Sequence, residues 1–224
     1  MNLSKLTGVV FLSLGWLNLS SQNIVLNVLE PLSISGIYPH TNQGDGSGWG
    51  LSNLLNPTDA VLDTIVMMDD GDTTVNNSYG YNFPNSHCGC DSAGVMNSSI
   101  DYYGKIVLIS RGTCQFGLKA YLAQLRGAVG VIIYNAYLDS SPSGGLLNLS
   151  GGDYGSLVTI PVAFVSNGNG IIIKNQLDLG QNVIAFLGNK KGSFQNDLAI
   201  HSNKILVPEP VSYTHLTLPT NREV

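Results

Sequence analysis

The stretch "GKIVLISRGTCQFGLKAYLAQLRGAVGVIIYN", residues Gly104–Asn135, decides the fold. Its first seven residues, Gly104–Ser110, form a largely apolar run of strand length. From Cys114 to Gly127 the pattern changes period. Phe116, Ala120, Ala123 and Gly127 recur at i, i+4, i+7 and i+11, which places them on one helix face. Gly127 supplies a helix stop. Ala128–Asn135 is then a second apolar run. Strand, helix and strand within this span predict a right-handed parallel unit with both strand faces covered. An Arg111-Gly112-x-Cys114 turn joins the first strand to the helix. Such a turn either faces a ligand or only holds the scaffold together.

The pattern extends in both directions. Upstream, Asn23–Val28 and Leu32–Tyr38 read as strands, and Ala60–Gly71 reads as a strand ending in an acidic turn. Residues 72–103 are polar and aperiodic, and are expected to be loop. Downstream, Leu157–Ser166 is a strand, with Pro161 at its start or at an edge. A helix follows, capped by Ser166 or Asn167 and stopped at Gly180, and Asn182–Gly188 closes the pattern as a strand.

Composition narrows the class. Lys and Arg number 10 against 15 Asp and Glu, a net charge of −5, and no basic run occurs, so a nucleic-acid partner is not expected. The 26 glycines point to many turns and a strand-rich fold. Residues 1–22 read as a signal peptide: Lys5 is the positive region, and "LTGVVFLSLGWL" (Leu6–Leu17) is too short to span a bilayer. No other segment reaches that length, so no membrane span is expected. The expected location is secreted or cell-surface. The stretch "VSYTHLTLPTNREV", residues 211–224, resembles the translation of a sequencing-library adaptor and is set aside. Residues 191–210 then form a linker or the start of a further domain.

Three cysteines, Cys88, Cys90 and Cys114, are too few for a disulfide-rich scaffold. Cys-Gly-Cys has one intervening residue where zinc turns have two or more, so one disulfide and one leftover thiol are expected. No catalytic constellation is evident. "GDGSGWG" (Gly44–Gly50) is not a G-x-S-x-G elbow around Ser47, and its glycines do not match G-x-G-x-x-G. His40, His87 and His201 lack H-E-x-x-H spacing. Asp69, Asp70 and Asp72 lack the rest of a calcium loop and are expected to form a solvated turn. No cofactor or metal is expected.

"GKIVLISRGTCQF", Lys119 and "AQLRGAVGVIIYN", with "TIPVAFVSNGNG" (Thr159–Gly170) and "VLDTIVMMDDGD" (Val61–Asp72), resemble the protease-associated (PA) domain family. The resemblance covers residues 23–190. It implies an α/β fold with a β-sandwich-like core of parallel and antiparallel strands flanked by helices. It also implies a secreted, bacterial source and no catalytic residues. The family occurs in secreted peptidases, sorting receptors, ubiquitin ligases and bacterial surface proteins. The expected function is therefore a non-catalytic extracellular module binding a protein or peptide, with an accessory domain of a secreted peptidase as the alternative. The resemblance further implies that Cys90 pairs with Cys114.

Within that frame Arg111 either meets a ligand carboxylate or anchors its turn through backbone carbonyls. Lys119 is expected to be a solvated or snorkelling helix residue. Three polar, glycine-rich loops, Gln43–Gly50, Asp72–Ser86 and Ser140–Gly155, are long enough to be functional. They carry Trp49, Tyr79, Tyr81 and Tyr154. These rings either form a recognition surface or pack back onto the domain.

Overall fold

The computed structural model describes residues 24–50, 54–76, 83–137 and 145–191. The expected leader, the tail and all but the first residue of the 191–210 linker lie outside the described residues. In chain order the elements are β1 (Ile24–Glu30), β2 (Gly36–Tyr38), β3 (His40–Asn42), β4 (Val61–Met67), β5 (Val75–Asn76), β6 (Phe83–Pro84), α1 (Ser92–Asn97), β7 (Ile106–Ser110), α2 (Phe116–Leu125), β8 (Gly130–Tyr134), β9 (Val162–Val165), α3 (Asn167–Asp178) and β10 (Ile184–Asn189).

The central unit follows from its sequence. Every residue of β7 and β8 is buried, as continuous apolar runs require when both sheet faces are covered. Burying each Val, Leu or Ile side chain stabilises by about 1.5–3 kcal/mol. β4, β7, β8 and β9 run parallel, with Met67 beside Leu108, Ile132 beside Leu108 and Ile133 beside Phe164. α3 begins at Ser166, whose hydroxyl accepts the Asn169 N–H at 3.3 Å.

Among the described residues, eight strands form one sheet in the order β2-β1-β10-β4-β7-β8-β9-β3, and β5 and β6 pair separately. One face of β7–β9, with Val107, Ile133 and Phe164, packs on α1 and α2 through Val95, Ala120 and Leu122. The opposite face, with Ile106, Ile132 and Val165, meets Ile173 of α3. It also meets Leu26 and Val28 of β1 and Ala185 and Leu187 of β10. These two strands belong to the same sheet, so the sheet curls until its ends close on one core. The fold is thus α/β with a mixed parallel and antiparallel sheet. The two stacked sheets of a sandwich are replaced by a single curled one, because β10 bridges β1 to β4 by continuous pairing.

Two further expectations change. Leu32–Tyr38 opens with a 3-10 turn, Leu32–Ile34, and becomes strand only at Gly36. The polar stretch 72–103 is not all loop: it holds β5, β6 and α1. α1 is a six-residue helix started by the Asp91 side chain, which accepts the Ala93 N–H at 3.0 Å.

Candidate functional site

Parallel strands present their carboxyl ends on one side of a sheet, where open α/β folds place ligands. Here those ends lead into Met68–Asp72 after β4, Arg111–Gln115 after β7, Asn135–Tyr137 after β8 and Ser166 after β9. The segment Asn85–Asp91 is tied across this edge. Asp70 is its anchor: one carboxylate oxygen accepts the N–H groups of Cys90 at 2.9 Å and Asp91 at 3.2 Å, and the other accepts that of Asp72 at 3.1 Å. Asp70 is therefore buried, contrary to the solvated turn expected of it. Asp69 and Asp72 cap their own turn, accepting the N–H groups of Gly71 and Thr74.

A disulfide joins Cys90 to Cys114, with Cα atoms 5.7 Å apart, and Cys88 is a free, buried thiol. Lys119 lies beneath them and overturns the sequence expectation, because it is fully buried. Its ammonium donates to Cys88 O and lies 3.3 Å from Cys90 Sγ. Burial lowers its pKa from the usual lysine range to about 8. A solvent-facing lysine was the natural reading of a helix pattern. The Asn85–Asp91 segment covers that face, and helix periodicity carries no signal for a covering loop. Gly112 is needed for space at this point, since a Cβ there would sit 2.3 Å from Cys88 Sγ.

Arg111 donates to Asn135 Oδ1 at 3.3 Å, and its guanidinium stacks 4.7 Å above the Tyr137 ring. Asn135 is buried and donates in turn to Gly145 O at 3.1 Å. Asn167 Nδ2 donates to Asn135 O at 2.8 Å. Arg111 thus joins the turn after β7 to the loop after β8 through a side-chain amide rather than through backbone carbonyls.

The glycine-rich loops 43–50 and 145–155 run together, with Gly151 N–H on Ser47 O and Gly50 N–H on Gly155 O, both at 2.8 Å. Ser47 is part of this pairing. The loop presses on the start of α2, where Gly117 leaves no room for a side chain: a Cβ would lie 1.9 Å from Gly151 O. Gln115 and Asp153 fix the contact through two hydrogen bonds. Trp49 is half-buried, donates its indole N–H to Leu149 O at 3.0 Å and packs on the α2-side core. Tyr154 is 38% exposed and stacks on Tyr121 at 6.0 Å. Tyr79 and Tyr81 lie outside the described residues. The third loop enters the opposite core through Phe83, which packs on Tyr137 at 6.0 Å.

The remaining polar groups are dispersed. His40 is buried with Nδ1 3.0 Å from Tyr38 O, and burial lowers its pKa. His87 has its pKa lowered by burial and by the nearby Lys174. His201 lies outside the described residues. Among the described residues no three His, Cys, Asp or Glu side chains gather as a metal site, and no helix is long and apolar enough to cross a membrane. Arg126 was not singled out by sequence reasoning, yet its guanidinium caps the carbonyls of Met96, Ser98 and Ile100 at 2.9–3.1 Å and lies over Tyr102.

Over 115 residues, 51% of this chain, the sequence is 35% identical to an aminopeptidase of Pseudomonas aeruginosa strain UCBPP-PA14 and equally to that of strain PAO1. The match spans 20% of each, so this chain covers about a fifth of the curated relatives it resembles. Among solved structures, an aminopeptidase from Aneurinibacillus sp. strain AM-1 has the same fold over 75% of this chain and 30% of its own, with a TM-score of 0.51 and 20% identity. The sequence profile of the PA domain matches residues 74–173. That segment holds the Cys90–Cys114 link, the Arg111 turn and the parallel β7-α2-β8 unit, and it is a PA domain.

Proposed function

We propose that this chain is the accessory PA domain of a longer, exported peptidase, with domain limits near residues 23–190 and no hydrolytic centre of its own. The observation that carries the proposal is the 35% identity to an aminopeptidase over half of the chain. It reverses the order in which the sequence alone ranked the two readings. A disulfide supports an oxidising, extracellular location. A protein or peptide partner remains the expected ligand class. The joined loops 43–50 and 145–155, with Tyr154 partly exposed on Tyr121, favour the second reading, a binding module of a non-peptidase surface protein.

The test is the coding sequence beyond residue 210, followed by assay. A downstream peptidase domain, with hydrolysis of Leu-p-nitroanilide by the full-length protein and none by the 224-residue chain, is the expected result. A continuation into adhesion-type repeats would remove the peptidase reading. Turnover by the purified chain that His87→Ala abolishes would remove the non-catalytic one.

A further inference from the structure

The sheet forks beside β4. β10 pairs with β4 only as far as Ile184 with Thr64, plus one further bond from Ile65 N–H to Val183 O at 2.7 Å. β7 stays paired through Met67, and Met68 N–H reaches Leu108 O at 2.9 Å. Backbone groups alternate sides along a strand. The Met67 N–H therefore points the same way as that of Ile65, toward the side that β10 has left. Among the described residues no strand and no backbone acceptor faces it there.

The gap is a cleft of about 530 Å³ between β4 and the end of α3, lined by Met67, Asp69, His87, Leu177, Asp178 and Asn182. Val66 and Met67 stay half-exposed although β4 lies in the middle of the strand order. Two carboxylates, Asp69 and Asp178, line the cleft, and Asp178 pairs with Lys174 of the same helix. His87 Nδ1 is buried at the cleft wall without a hydrogen-bond partner among the described residues.

We propose that this cleft binds an extended peptide segment, which adds as a short strand beside Met67 and sets a cationic group against Asp69. Free main-chain groups on a strand select an extended chain, because only another backbone offers donors and acceptors at that spacing. The open part of β4 beyond the Ile65–Val183 bond, Val66–Met67, is about 7 Å long, so it pairs with about two residues. The uncompensated carboxylate selects a basic side chain or a free amino terminus over an acidic one. The inference rests on the accessory-domain reading only for the source of the peptide.

The experiment uses the purified chain with two fluorescein-tagged peptides, Lys-Val-Thr-Lys-Val and Glu-Val-Thr-Glu-Val. Anisotropy measures affinity, and amide hydrogen exchange measures Met67. The basic peptide is expected to bind at least about tenfold more tightly than the acidic one. It should slow exchange at Met67 about tenfold or more while leaving Val131 unchanged. Asp69→Asn with Asp178→Asn should weaken the basic peptide by about tenfold at unchanged circular dichroism. The asparagine at 69 keeps the acceptor for Gly71. Equal binding of the two peptides overturns the proposal, as does an unaltered Met67 amide. A Met67 amide already protected in the free chain also overturns it, because a segment of the same polypeptide would then fill the cleft. Lack of a downstream peptidase sinks the accessory-domain reading and leaves this site standing. Lack of peptide binding in an active full-length peptidase sinks this site alone.

Discussion

β8 and β4 are both apolar strands in one sheet, two places apart, and they have opposite fates. β8 (Gly130–Tyr134) is paired along its length by β7 and β9 and is buried at every position. β4 (Val61–Met67) buries only Ile65, and its pairing with β10 ends at Thr64. The difference does not lie in hydrophobicity, since "VLDTIVM" and "GVIIY" both read as strands. It lies in what surrounds them. β8 has a helix against each face and a strand on each side. β4 has a helix end and a fork. A strand becomes core when all its backbone groups and both its faces are taken up, and it becomes a binding edge when some are left over.

The first way to break this comparison is to empty the β8 side. Ile132→Ala removes a fully buried side chain from a packed interior, and a loss of about 4 kcal/mol in urea unfolding is expected. A loss below about 1 kcal/mol would mean that the parallel unit is not the stabilising centre.

The next largest effect concerns charge in that interior. The folded pKa of Lys119, about 8, lies below its ordinary value of 10.5. Between those two pH values the unfolded chain holds the proton more often than the folded chain. Stability should therefore rise with pH across the window, by roughly 3 kcal/mol in total, and be lower below it. Lys119→Met should flatten that rise while leaving Cys88 O without its donor. A wild-type profile that is flat or falling from pH 8 to 10 would contradict the buried ammonium.

Arg126 sharpens the comparison at the helix layer that covers β8. Arg126→Ala leaves the carbonyls of Met96, Ser98 and Ile100 without their donor and is expected to lose about 2 kcal/mol. Amides of α1 should then exchange faster, which hydrogen exchange reads directly. The smallest effect is expected on β4 itself. Val66→Ala should lower stability by less than about 1 kcal/mol, because a half-exposed side chain already keeps part of its surface in water. A loss as large as that at Ile132 would erase the distinction between the two strands.

Much of the fold was legible because local pattern and tertiary burial agree from Ile106 to Tyr134. Continuous apolar runs marked β7 and β8, and a 3.6-residue period marked α2. The Ser166 cap of α3 was legible for a similar reason, since capping is settled within one helical turn. α1 was not legible: "SAGVMN" is too short and too small-residued to show a period, and it is a helix because Val95 is buried beneath α2 and Asp91 caps it. The binding surface was only partly legible. Polar, glycine-rich loops announced themselves by composition, but which of them meet depends on chain segments a hundred residues apart.

By itself the sequence determined the α/β class, the parallel unit, the start of α3 and the presence of a PA domain segment. These follow from periodicity, capping chemistry and a long specific motif, all of which are local. Only the tertiary structure decided that the sheet is one curled surface, that Lys119 and Asp70 are buried, and that β10 leaves β4 at Thr64. Each of these rests on strand order or on a covering segment supplied from far along the chain. Pairing over such distances is fixed by the closure of the whole core, which no short window of residues encodes.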